Sequence, residues 1–195
     1  MDIHSVLNFT NLINTFRGIK RVVFTVGDRE PENDAEHSYQ LVMLAWYIIS
    51  TEKLRLHTDL VIKYALVHDL VEVYAGDTYF YRSNKEEKDK KNREKESLRR
   101  IKKEFPGIGD IYTLINDYEK RLDDESRFVY ALDKLLPVMN IYLDGGRDWR
   151  RHEVTLEALI KAKTPKIALS PEVEPYYKEF VAILEKNKHM FHEKH

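Results

Sequence analysis

Apolar residues recur three and four positions apart along nearly the whole chain, and the two-residue alternation of strands is nearly absent. A chain patterned this way buries its apolar surface by packing helix on helix, so an all-α fold is expected. Its 195 residues suit a single domain. Only 7 Gly and 6 Pro are present, about half the usual share, which works against a turn-rich sandwich or barrel. With 43% apolar residues the core needs no covalent staple. The lack of cysteine excludes disulfides, thiolate zinc sites, iron–sulfur clusters and thiol catalysis.

The periodicity predicts a first helix over 4–17 and a loop from Gly27 to Glu32. Asn33 with Glu36 has capping-box spacing and opens a second helix reaching about Ser50. A third runs from Thr58 or Asp59 to Gly76. Residues 82–104 form a charged excursion with 11 Lys/Arg against 6 Asp/Glu, a net +5. Further helices are expected over 108–121, 124–143, 151–163 and 171–188. Residues 1–165 then form the domain, and residues 166–195 supply a C-terminal helix packed on it.

Charge and hydropathy exclude some partners. The 32 basic and 33 acidic residues leave a net charge of −1, so no nucleic-acid partner is expected. The longest apolar run, Leu41 to Ile49, is too short to span a bilayer, so no membrane is expected. Met1-Asp2-Ile3-His4 leads straight into an amphipathic stretch, with no leader pattern. A cytoplasmic protein is the expectation.

The third helix carries the first chemical signal. From Leu60 to Tyr74 it is apolar or aromatic all round, Lys63 apart, until His68, Asp69 and Glu72. His68 and Glu72 are i,i+4, and Asp69 and Glu72 are i,i+3, so the three approach one surface. Carboxylates buried there cost several kcal/mol unless paired, hydrogen-bonded or bound to a cation. His37 opens another buried helix, just ahead of the run from Leu41. On the 124–143 helix, Asp133 lies among Val129, Tyr130, Leu136 and Pro137. Pro137 lacks the N–H that would bond the carbonyl of residue 133, which predicts a kink. Each element also has a plain structural reading, a half-exposed His–Asp pair or a capping histidine. Taken together, imidazoles and carboxylates without thiolates suit one divalent ion of the Mn, Co, Fe, Ni or Mg kind with open positions.

The ordered set His37, His68-Asp69 and Asp133, on three helices, resembles the H…HD…D pattern of the HD-domain metal-dependent phosphohydrolases. Ala35-Glu36-His37-Ser38 and the string His68-Asp69-Leu70-Val71-Glu72-Val73-Tyr74-Ala75-Gly76-Asp77 are similar to motifs of its 5′-deoxynucleotidase branch. The likeness covers residues 5–165 or so. It implies that His37, His68, Asp69 and Asp133 hold one divalent ion. By the same likeness Glu72 orients or deprotonates the attacking water, and Asp77 positions water or substrate. An arginine at the end of the first helix would contact the phosphate, Arg17 first and Arg21 second. The implied reaction takes (deoxy)nucleoside 5′-monophosphates to nucleoside and phosphate. A homodimer is implied too, since family members often form one. Gly18 stands where members can carry a tryptophan near the sugar, so the likeness leaves the sugar open.

Two other functions fit the same residues. One is hydrolysis of a different nucleotide ester or anhydride, such as an alarmone or a nucleoside triphosphate. The other is a non-catalytic, metal-containing protein that binds a partner through the basic 82–104 face. Among weaker signals, His189, His192 and His195 read as solvated residues of a frayed terminus, and His57 and His152 as surface or capping groups. Trp46 and Trp149 read as core or interface, and Tyr79, Phe80 and Tyr81 as a pocket wall or packing.

Overall fold

A computed structural model describes residues 2–27, 30–76 and 84–192. The chain begins with α1 (Ile3–Arg17), capped by Asp2, whose carboxylate accepts the Ser5 N–H at 2.8 Å. An antiparallel hairpin follows, β1 (Lys20–Phe24) against β2 (Pro31–Asn33), with Lys20 opposite Asn33 and Phe24 opposite Pro31. It replaces part of the expected 27–32 loop. Strands this short carry too few residues to show an alternating pattern. The all-α class stands, because the other regular elements among the described residues are helical.

Asn33 closes β2 and opens α2 (Asp34–Glu52) through the expected capping box. Its side chain accepts the Glu36 N–H at 3.0 Å, and the Glu36 carboxylate accepts the Asn33 N–H at 3.0 Å. Next, α3 (Thr58–Val67) stops well short of Gly76, a correction to the continuous third helix. Residues 68–71 wind more tightly, with Leu70 N–H bonded to Val67 O at 3.1 Å and Glu72 N–H to Asp69 O at 2.8 Å. The short α4 (Glu72–Ala75) then resumes. In such i→i+3 winding, residues three apart eclipse, which sets Asp69 and Glu72 on one side.

The charged excursion is helical as α5 (Asn84–Glu104), followed by α6 (Gly109–Lys120) and α7 (Asp124–Leu143), which continues through Pro137. The helix expected over 151–163 is two, α8 (Arg147–Arg151) and α9 (Leu156–Ile167). Glu153 at φ 54 separates them, and Thr155 caps the second by accepting the Ala158 N–H. Finally α10 (Glu174–Lys186) is followed by a 3₁₀ turn, Lys188–Met190.

The axis of the core is α7. Phe128, Val129, Ala131 and Leu132 are fully buried against Leu41 and Ala45 of α2 and Val61 and Ala65 of α3. Leu12, Phe16, Ile101 and Ile115 build a second cluster from α1, α5 and α6, and Trp149, Leu159 and Leu184 a third from α8, α9 and α10. Among the described residues no helix is long and apolar enough to cross a membrane.

Candidate metal centre

Three pieces of chain meet beside α7: the first turn of α2, the tight turn after α3, and the middle of α7. They bring together His37, His68, Asp69 and Asp133, whose ligand atoms all lie within 4.8 Å of one another. His37, His68 and Asp133 are buried, and Asp69 opens toward a cavity. The capping box fixes where α2 starts, so it also fixes His37 one turn inside.

Histidine orientation decides what the cluster can do. His68 Nδ1 lies 3.0 Å from the Ala65 carbonyl, which can only accept, so Nδ1 carries the proton. Nε2 then faces carboxylate oxygens, Asp69 Oδ2 at 3.0 Å and Asp133 Oδ1 at 3.8 Å. Acceptor atoms converging in a buried space repel one another, and a cation between them, a proton on Nε2 or a metal ion, reverses the sign of that interaction. His37 Nε2 is 3.1 Å from Asp133 Oδ1, while its Nδ1 lies 3.3 Å from Glu32 Oε1. A carboxylate behind the ring is the usual support of a metal-ligating histidine.

Glu32 is itself fixed, by Arg21 Nε at 3.1 Å and the Asn140 amide at 3.4 Å. Burial and Arg21 oppose protonation of His37, yet Asp133 and Glu32 outweigh them and raise its pKa. Burial raises the pKa values of Asp69 and Asp133, but the net shift of each is downward. Beside Asp69 the opposing groups are His68 and Arg21, and beside Asp133 they are Lys134 and the two histidines. Both aspartates are therefore held as carboxylates, the form a metal ligand needs.

Glu72 is buried at the edge of the cluster, and Asp34 joins it with Asp69 in a second close group of carboxylates. Lys90 reaches in from α5, 3.2 Å from Glu72 Oε1 and 3.4 Å from Glu94 Oε1. Burial disfavours the charge on Lys90, but Glu72 and Glu94 outweigh it and raise its pKa. Of the arginines, Arg21 enters the site from β1. It holds Glu32, Asp34 at 3.2 Å and Asp69 at 2.8 Å. Arg17 sits at the exposed end of α1 and does not line the cavity. Asp77 and the Tyr79–Tyr81 stretch lie outside the described residues.

A cavity of about 340 Å³ adjoins the cluster. Asp69, Glu72 and Asp133 line it, and so do Lys134, Lys163 and Lys166 of α7 and α9. Sequence reasoning missed these lysines, although Lys163 carried a signal. It falls on the apolar stripe of α9, with Leu156, Leu159 and Ile167, where a core residue belongs. Asp34 and Glu32 gave no signal, because acids ahead of a helix are ordinarily solvated caps. Of the tryptophans, Trp149 is buried and stacked on Phe191 at 4.2 Å, and Trp46 is half exposed. His189 is exposed.

A model of the HD domain matches residues 13–174. The chain is 30% identical to the 5′-deoxynucleotidase HDDC2 of Mus musculus over 132 residues, covering 66% of this chain and 64% of that protein. Its likeness to the protein of the same name from Homo sapiens is 29% over 133 residues, covering 67% and 63%. The matched region thus spans just under two thirds of these relatives' length. Among solved structures, one described as a predicted metal-dependent phosphohydrolase from Magnetospirillum magnetotacticum superposes with a TM-score of 0.83 at 25% identity, covering 98% of this chain and 96% of that one. Since the family match takes in all three pieces of chain that carry the cluster, the protein belongs to the HD-domain family.

Proposed function

We propose that the chain is a phosphohydrolase that binds one divalent ion through His37, His68, Asp69 and Asp133 and converts (deoxy)nucleoside 5′-monophosphates to nucleoside and phosphate. The observation that carries the reading is His68 Nε2 set against two carboxylates in a buried space, beside a cavity. The names of the curated relatives support the nucleotide substrate. When bound, the ion supplies Lewis acidity toward a phosphate oxygen and lowers the pKa of water. Glu72, buried within the same group of carboxylates as Asp69, takes the proton of the attacking water as general base. Asp77 positions that water or the substrate. Lys90 Nζ, 3.2 Å from Glu72 Oε1, holds that carboxylate in an ion pair.

The test is phosphate release from ribose and deoxyribose monophosphates with Co, Mn, Mg and Ni. Release of pyrophosphate or triphosphate from longer nucleotides, with none from monophosphates, would replace this substrate by an anhydride. Glu72→Gln is expected to lower kcat by about 10²–10⁴-fold, the usual contribution of a positioned base, with ion stoichiometry unchanged. Wild-type kcat in that variant would remove Glu72 from the chemistry.

We further infer that the protein is a cytoplasmic homodimer without a nucleic-acid partner. The cysteine-free, near-neutral sequence supports the setting. For the dimer, the outer face of α2 leaves Tyr39, Met43, Trp46 and Tyr47 exposed at helical spacing, an aromatic stripe of the composition found in interfaces. Trp46→Glu is then expected to halve the mass seen by analytical ultracentrifugation. An unchanged mass would exclude this face.

A further inference from the structure

A phosphomonoester brings a doubly charged group that needs donors besides an ion. The arginine that enters the site is heavily committed. Arg21 has Glu32, Asp34 and Asp69 within 3.2 Å, three carboxylates on one guanidinium, and two of them are fully buried. Arg17 does not reach the cavity.

Arg121, Lys90 and Lys91 also line the cavity, and a group of lysines gathers between α7 and α9. Lys134 follows the proposed ligand Asp133 directly, and its Nζ lies 2.5 Å from Asp133 Oδ2. Lys163, on α9, is only 6% exposed, yet it borders the cavity. Lys166 shares its face of the helix, three residues on. All three border the same cavity as Asp69, Glu72 and Asp133. The surroundings of Lys163 are unfavourable to its charge: burial first, then Lys134, Lys166 and Arg21, against which Asp133 pulls the other way, leaving a pKa of about 7. Ammonium groups gathered around a cavity repel one another, and an anion seated among them turns that repulsion into attraction.

We propose that Lys163 and Lys134, with Lys166 beside them, form a phosphate subsite between α7 and α9 that receives the phosphoryl group. The identity of the anion as a substrate's phosphoryl group rests on the phosphohydrolase reading. The subsite itself does not, and it can be examined without metal or turnover. Lysine suits the position chemically, since a compact ammonium on a flexible stem can follow a phosphoryl group as it moves, whereas a guanidinium fork fixes one orientation.

The probe is inorganic phosphate, titrated into metal-free full-length protein by calorimetry or phosphorus NMR. Wild-type protein is expected to bind it, Lys163→Met to bind it about tenfold or more weakly, and Lys163→Arg to restore part of the affinity. Thermal unfolding of each variant checks that it is folded. With metal present, Lys163→Met is expected to raise KM for the monophosphate by about tenfold or more while leaving the affinity for the ion unchanged. Equal phosphate affinity in wild type and Lys163→Met would overturn the subsite, as would failure of the wild type to bind. A protein that binds phosphate through Lys163 yet releases none from any monophosphate would uphold the subsite and overturn the monophosphatase reading. Phosphate release with an unchanged KM in Lys163→Met would do the reverse.

Discussion

His68→Ala is expected to strip the divalent ion and to lower kcat/KM for a nucleoside monophosphate by about a thousandfold or more. Lewis-acid stabilisation contributes several kcal/mol, and each 1.36 kcal/mol is tenfold in rate. The size of the loss follows from geometry. With Nδ1 bound to the Ala65 carbonyl, the ring is locked and Nε2 faces Asp69 and Asp133. Alanine removes both the donor and the group that fixes the tight turn after α3. Metal content by mass spectrometry and phosphate release by a colorimetric assay give two separate readings. A variant that kept a stoichiometric ion and more than a tenth of the activity would remove His68 from the ligand set.

Arg21→Met should be the most destabilising single change at the site. Arg21 is mostly buried, and Glu32 and Asp34 behind it are fully so. Taking away one partner of a buried ionic group strands the others, at a cost of about 3–5 kcal/mol. For a chain of this size each kcal/mol is worth roughly 2–4 °C, so the midpoint of metal-free protein should fall by roughly 6–20 °C. Arg21→Lys should recover only part of this, because an ammonium cannot reproduce the fork that spans three carboxylates. Calorimetry on the metal-free protein is the measurement. A fall of less than about 2 °C would mean that the carboxylates are satisfied without the arginine.

The core and the cluster were legible in the sequence for one reason. Helical periodicity assigns each position a face, and a charged residue on an apolar face stands out. Asp133 among Val129, Tyr130 and Leu136 stood out this way, as did His68 and Asp69 at the end of an apolar run. Lys163 was missed although the same logic applies on the stripe from Leu156 to Ile167, because its helix was expected to end at residue 163 and Ile167 fell outside it. Three features had no local signature. The β1–β2 hairpin is too short to alternate. The break at residues 68–71 is held by the His68–Ala65 contact and by packing, against a propensity to continue as helix. That Arg21 lines the cavity and Arg17 does not depends on where the hairpin turns the chain, which no spacing along α1 encodes.

His37 and Asp133, joined at 3.1 Å, stand 96 positions apart in the chain. Translation at about 5–20 residues per second therefore delivers the first proposed ligand roughly 5–20 s before the last. For about the last two thirds of that interval His37, His68 and Asp69 have all been made without α7, the axis against which α2 and α3 bury their apolar faces. A half-built site of this kind offers loose ligands to any metal in the cell, and only the arrival of α7 fixes their geometry. Choice of ion thus belongs to the fold once α7 is in place.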